Sequence, residues 1–219
     1  MVTIVLIPID TFQEWNNPSN WISNPKIAMP IWFNMLLVEK IPEHLILENP
    51  TIQTISTGDT HLTSHVFEFI FEYDQFPNDF IYEFSSEYSG SPLLQISVIR
   101  PDGIKFNLAS TSMPHSDLEK SHSQKIFSTD SSIKKNIVLQ SENFSFELDR
   151  MSSEDILFSK KDKNEPLKGN YIFVIDMYST NANNQISESK LIIGGKAFGI
   201  MGTDELRRDL AIGLLWAVS

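Results

Sequence analysis

The sequence contains no cysteine, so a disulfide framework and thiolate-based metal or redox chemistry are both excluded. Basic residues are scarce: 17 Lys and Arg stand against 28 Asp and Glu, a formal charge of −11. The arginines, Arg100, Arg150 and the pair Arg207/Arg208, form no continuous basic stripe. That argues against phosphate-backbone recognition and against nucleic acid as a partner. An acidic surface of this kind keeps a protein dispersed and is repelled by anionic headgroups over most of its area. Long apolar runs are missing as well, since none reaches the ~20 residues that a membrane-spanning helix requires. Two shorter uncharged runs, VTIVLIPI at residues 2–9 and LAIGLLWAV at 210–218, each read as part of a span.

What is present points to a packed core. The chain has 219 residues, 41% of them hydrophobic, and Phe leads the aromatics with 15, a composition typical of a globular domain or one large β-sandwich. The first fifty residues carry prolines at 8, 18, 25, 30, 42 and 50, which long helices and strands do not survive. Trp15, Trp21 and Trp32 all fall in this segment. Such rings serve either in a core or in an interfacial belt beside a bilayer.

From about Thr51 the period changes to two. His65-Val66-Phe67-Glu68-Phe69-Ile70-Phe71-Glu72-Tyr73 places Phe67, Phe69 and Phe71 on one face and Glu68 and Glu72 on the other, the pattern of a half-buried strand. Further strands are predicted over 80–84, 93–100, 104–109, 133–139, 144–148, 171–178 and 190–193. Arg100-Pro101-Asp102-Gly103 supplies turn chemistry for a hairpin. Residues 110–132, rich in Ser, His, Lys and Asp, read as a long mobile loop, and 153–161 as one short capped helix. The expected fold is mainly β, an antiparallel β-sandwich with a Pro/Trp-rich N-terminal segment and short helices.

No constellation of residues reads as a catalytic or metal site. His61 and His65 have helical zinc spacing, but their flanks are strand, where residues four apart lie ~13 Å from each other. His115, His122, Asp117 and Glu119 belong to the Ser-rich segment and read as solvated. Glu142/Glu147 and Glu154/Asp155 read as charged surface. No G-x-S-x-G elbow is present. Gly194-Gly195-Lys196 lacks the helix start that a phosphate loop needs and reads as a hairpin turn. Asn143-Phe144-Ser145 is a formal glycosylation sequon. These readings predict no enzyme, no cofactor and no metal.

The run Gly199-Ile200-Met201-Gly202-Thr203-Asp204-Glu205-Leu206-Arg207-Arg208-Asp209-Leu210 resembles the G-T-D-x-x-G-R-D signature of permease subunits of dipeptide/oligopeptide/nickel ABC transporters. Gly202, Thr203, Asp204, Arg208 and Asp209 match, while Arg207 stands where the family carries Gly. The opening WNNPSNWISNPKIAMPIWFN is similar to the segment after the first membrane helix in archaeal-type members with a large insertion. The resemblance implies that residues 1–9 end the first membrane helix, 10–50 form the lead-in, 51–200 an extracytoplasmic sandwich, and 201–219 the signature and start of the second membrane helix. Thr203 or Asp204 would cap that helix, and both ends would return to one membrane face. It also implies a cell-membrane location and several partners: the rest of the permease, a second permease subunit, ATPase subunits, and an extracytoplasmic solute-binding protein delivering peptides or similar small solutes. The domain would be a docking or gating surface. The alternative is a free-standing extracellular module that binds carbohydrate or serves in adhesion.

Overall fold

Alternation decides the architecture around His65–Phe71. In the computed structural model, which describes residues 15–148 and 150–217, strand β3 (Thr60–Phe71) buries Phe67, Phe69 and Phe71 and exposes Glu68 and Ile70. The described residues form two compact units, one of residues 46–72 and 79–192, the other of 15–45, 73–78 and 193–217. The remaining strands are β1 (Leu45–Leu47), β2 (Thr51–Thr57), β4 (Asp79–Gly90), β5 (Leu93–Ile99), β6 (Lys105–Ser112), β7 (Ser116–Phe127), β8 (Gly169–Ser179) and β9 (Gln185–Gly194). They make a four-stranded sheet, β1-β9-β4-β7, and a five-stranded sheet, β2-β3-β8-β5-β6. The mainly β, antiparallel sandwich expected from the sequence is the observed fold.

Aromatic rings fill the space between the sheets. Phe67 on β3 meets Tyr82 on β4 at 6.2 Å, and Phe80 and Tyr82 each lie 5.8 Å from Phe173 on β8. Phe69 stacks on Tyr171 and Phe173, and Phe71 lies 5.0 Å from Phe158. These offset and edge-on contacts add to burial of the rings themselves.

The Arg100–Gly103 turn joins β5 to β6 as predicted, with Ile99 opposite Lys105. Arg100 does more than turn the chain. It is almost fully buried, and its guanidinium donates to the carbonyls of Ile156, Leu157 and Ser159 and pairs with Asp102 at 2.9 Å. Those carbonyls end helix α2 (Ser153–Phe158), whose N-cap Ser152 accepts the Asp155 amide. A buried cation is thus fully hydrogen-bonded, the condition under which it is tolerated.

Several expectations are corrected. Residues 133–139 are helical, within α1 (Ser131–Gln140), because Ile133 and Ile137 are four apart and make one buried stripe. No strand forms over 144–148; Phe144 packs on Phe106 and under Arg100, whose guanidinium carbon is 5.1 Å from its ring. Residues 110–132 are not a loop: they hold the end of β6, all of β7 and the start of α1. Strand β7 is mostly polar because it is an edge strand with little to bury. Glu154 is not on a charged surface. It is buried, one of its oxygens lacks a hydrogen-bond partner, and burial raises its carboxyl above the ordinary range despite bonds that oppose this.

Replacing Phe69 by Ala should cost on the order of 3–5 kcal/mol, read by chemical denaturation. A loss below about 0.5 kcal/mol would mean that the side chain is not in the core.

Candidate functional site

The signature residues come together in the unit of residues 15–45, 73–78 and 193–217, where they bind the lead-in segment. Gly202 has a φ of 75°, and a Cβ there would lie 2.1 Å from the carbonyl oxygen of Ala28. Only glycine fits so close a backbone approach. Next to it, Thr203 is buried, and its amide donates to Ala28 O at 3.0 Å. The Thr203 hydroxyl accepts from Ala28 N and donates to Pro25 O, each at 2.8 Å. Gly202 and Thr203 therefore hold residues 25–28 by their backbone alone, independently of side-chain identity there.

Asp204 closes the next turn. One carboxylate oxygen accepts the amides of Leu206 and Arg208, each at 2.9 Å; the other accepts Arg208 Nε at 2.7 Å and Nη2 at 2.6 Å. Burial raises the Asp204 carboxyl, but the bonds from Arg208 and the backbone outweigh it, so the net shift is downward. A depressed carboxylate stabilises the turn above its unfolded pKa, and that contribution disappears as pH falls through the folded one. The Arg208 guanidinium also lies 4.9 Å from the centre of the Trp15 ring, a cation–π contact.

Arg207, at the position where the permease signature that this run resembles carries Gly, has a φ of 65°, in the left-handed region that glycine favours. Its guanidinium donates to Asn24 O at 2.6 Å, and its carbonyl accepts from Asn24 Nδ2 at 3.1 Å. Arginine here thus takes the conformation that the glycine-bearing pattern suits, with bonds to the lead-in added.

The cap expected at Thr203 or Asp204 is instead Asp209. Its Oδ1 accepts the Ala211 amide at 2.9 Å, at the start of helix α3 (Leu210–Ala217), because Thr203 and Asp204 are already occupied. Helix α3 carries no charged residue. Trp15 packs beside it, with ring atoms about 3 Å from where a Gly213 Cβ would be. The first described residue and the last described helix are therefore neighbours. Residues 2–9 and 218 lie outside the described residues, and no described helix is long and apolar enough to cross a membrane.

The same unit exposes apolar side chains on a scale unusual for a dispersed protein. The 3-10 turn Ile31–Met35 buries none of its residues. Met35 is 86% exposed, Leu36 72% and Val38 101%. Trp32, nearly half exposed, donates from its indole to Ile200 O at 3.0 Å, and Ile31 N donates to Gly199 O at 3.0 Å. These bonds attach the turn to the exposed pair Ile200 and Met201. Ile27, also exposed, has a φ of 51°, a real outlier for a β-branched residue. By contrast Trp21 is buried and meets Trp15 edge-on at 5.4 Å. The tryptophans thus divide between a core and an exposed face. The sequence left Trp32 between a core and an interfacial belt, and nothing in it marked Met35, Leu36 and Val38 as exposed.

The other candidates remain apart. His61 meets Ser56 at 2.8 Å, while His65 is buried against Ser189 at 2.7 Å and burial lowers its pKa. His115 contacts Asp117 in the open. No group of three or more metal-ligating side chains occurs among the described residues. Gly195 makes no hairpin turn: it approaches the backbone of Glu43 and His44, and Lys196 N donates to Pro42 O at 2.7 Å. In the sandwich, an open groove of about 840 Å3 is lined by Glu48, Ile52, Glu83, Ser85, Ser123, Lys125 and Glu188, with buried Phe84 its aromatic contribution among the described residues.

No family model and no curated protein matches the chain. Among solved structures it is similar to one of the infectious bursal disease virus Gx strain, at 9% identity and a TM-score of 0.34, covering 74% of this chain and 35% of that one. TmCBM61 in complex with β-1,4-galactotriose gives 4% identity and a TM-score of 0.27, covering 69% and 85%. A CBM4 structure gives 5% and 0.22, covering 66% and 94%. Likeness of this degree carries no functional information.

Gly202→Ala should destabilise the signature turn by on the order of 2–4 kcal/mol, through a strained φ and the overlap with Ala28. Arg207→Gly should stay within about 1 kcal/mol of the parent, because relief of the left-handed conformation offsets the lost bonds. Hydrogen exchange at the Thr203 amide reads both. Unchanged protection in Gly202→Ala would contradict the contact.

Proposed function

We propose that the chain is the extracytoplasmic domain of a permease subunit of an ABC importer for peptides or similar small solutes, acting as a docking or gating surface rather than as an enzyme. The observation that carries this reading is the exposed apolar surface formed by residues 31–38 with Ile200 and Met201. A protein of formal charge −11 gains nothing in water by exposing an indole, two methionines and several branched aliphatics together, whereas a hydrocarbon-facing surface requires it. Trp32 has its one polar group satisfied by Ile200 O, which leaves an amphipathic ring suited to the headgroup level.

The signature adds support from a second direction. Gly202 to Asp209 hold the lead-in segment and start the uncharged helix α3 beside Trp15, which suits a chain that leaves one membrane helix and returns to the next. The partners are then the rest of the permease in the membrane, a second permease subunit, ATPase subunits and a solute-binding protein.

The second reading, a free-standing carbohydrate-binding or adhesive module, is favoured by the open groove of the sandwich. Against it, among the described residues that groove presents carboxylates, hydroxyls, amides and two lysines, and no exposed aromatic ring to stack on a sugar. It also leaves the apolar surface of the other unit unexplained.

This chain has no cysteine, so once any cysteine elsewhere in the reading frame is replaced by serine, topology can be tested with one introduced thiol. In cells expressing the full reading frame that carries this chain, Ser121→Cys, on an exposed stretch of β7, should be labelled by a membrane-impermeant maleimide without lysis. The labelled protein should sediment with membranes. Labelling only after lysis would overturn an extracytoplasmic location, and recovery of the labelled protein from the medium would favour the free module.

A further inference from the structure

We propose that the edge of β2 is an interface at which two copies of this chain pair antiparallel, joining their five-stranded sheets into one. This does not depend on the permease reading. An unpaired strand edge is a template for association, and proteins normally shorten it, charge it or cover it. The other edges here are managed in those ways. β1 has three residues. β7 carries Asp117, Glu119, Lys120 and Lys125. On β6, the Asn107 amide and carbonyl are taken by the Gln140 side chain at 2.8 and 2.9 Å, and Leu108 O accepts from Asn136 at 2.9 Å.

Strand β2 has no such device. Its sequence, TIQTIST, contains no charge and no proline, all seven residues are exposed, and Ile52 and Ile55 are among them. It pairs with β3 from Thr51/Val66 to Thr57/Thr60 without a bulge. The two-residue Gly58–Asp59 turn, with Gly58 at a φ of 59°, makes Thr57/Thr60 the closing hydrogen-bonded pair. Alternation then directs the amides and carbonyls of Ile52, Thr54 and Ser56 away from β3.

That set is self-complementary, so a second copy can occupy it. Thr54 is its centre, so an antiparallel two-fold through Thr54 sets Thr54 opposite itself and Ile52 opposite Ser56. Every outward group is satisfied, in about six hydrogen bonds, with none left over. The same register sets Gln53 opposite Ile55 and Thr51 opposite Thr57, so no like charges oppose each other although the whole chain is strongly acidic. Pro50, without an amide, ends the ladder. Each copy carries a formal charge of −11, so added salt should tighten the pairing.

The test is sedimentation of the purified full chain across the micromolar to millimolar range, together with cross-linking. The chain should dimerise, more tightly at higher ionic strength. Thr54→Lys, which puts two ammonium groups directly opposite each other, should weaken the dimer by about tenfold or more while leaving the circular dichroism spectrum and unfolding transition in place. Thr54→Cys should form an intermolecular disulfide on mild oxidation, because paired Cα atoms lie ~5.5 Å apart there, within disulfide reach; Ser121→Cys on β7 should not. Met35→Glu should leave the dimer intact, which separates this interface from association through the apolar surface. A chain that stays monomeric, a dimer indifferent to Thr54→Lys, or a monomer that instead captures an extended peptide at β2 would each overturn the proposal.

Discussion

The contact on which the signature-bearing unit depends is the approach of the Gly202 α-carbon to the carbonyl of Ala28, closer than any side chain permits. Once Gly202 is in place, the Thr203 hydroxyl reaches both Ala28 N and Pro25 O. Asp204 is then free to gather Leu206 and Arg208, and Arg208 to lie over Trp15. Asp209 comes last and starts helix α3. A proline-punctuated segment whose regular structure, among the described residues, is limited to two 3-10 turns and the short strand β1 is in this way held against residues some 175 positions away. The exposed turn Ile31–Met35 comes directly after that held segment and is tied to Gly199 and Ile200. The backbone constraint and the apolar surface are thus consecutive parts of one arrangement.

The sandwich depends on different physics, the burial of alternating aromatics, and this explains why it was the legible part of the sequence. Where a strand has one buried face, as in β3 and β8, hydrophobic residues mark every second position and the strand can be read. β7 buries little more than Ile126, so its composition resembled a loop. Residues 133–139 misled in another way. Their β-branched content suggests a strand, but the Ile133/Ile137 spacing is helical, and the spacing decides. Phe144, Phe146 and Leu148 alternate as a strand would, yet Phe144 is drawn under the buried Arg100. Nothing local in the sequence marks Arg100 as internal, since its three carbonyl acceptors lie in the Ile156–Ser159 segment.

Within the candidate site, the run Gly202 to Asp209 was singled out only by its resemblance to the permease signature, which does not give the roles its residues take here. Thr203 and Asp204 looked like helix caps because threonine and aspartate favour that place; a long-range bond from Ala28 claims Thr203, and local bonds from Leu206 and Arg208 claim Asp204. Arg207 looked like a break in the pattern and turns out to hold the left-handed conformation for which glycine is suited. Three tryptophans in one short segment allowed a core or an interfacial belt; Trp21 lies in a core and Trp32 is exposed.

The central claim, that the surface around Trp32 lies against lipid, can be measured from Trp32 itself. Reconstituted in bilayers containing brominated phospholipid, a full-length variant in which Trp32 is the sole tryptophan, Trp216 and the others being replaced by Phe, should lose much of its fluorescence relative to the same variant in unbrominated lipid. A blue-shifted emission should accompany that quenching. No quenching of Trp32 by the brominated lipid, or a Trp32 that an aqueous quencher reaches freely in the reconstituted protein, would contradict it.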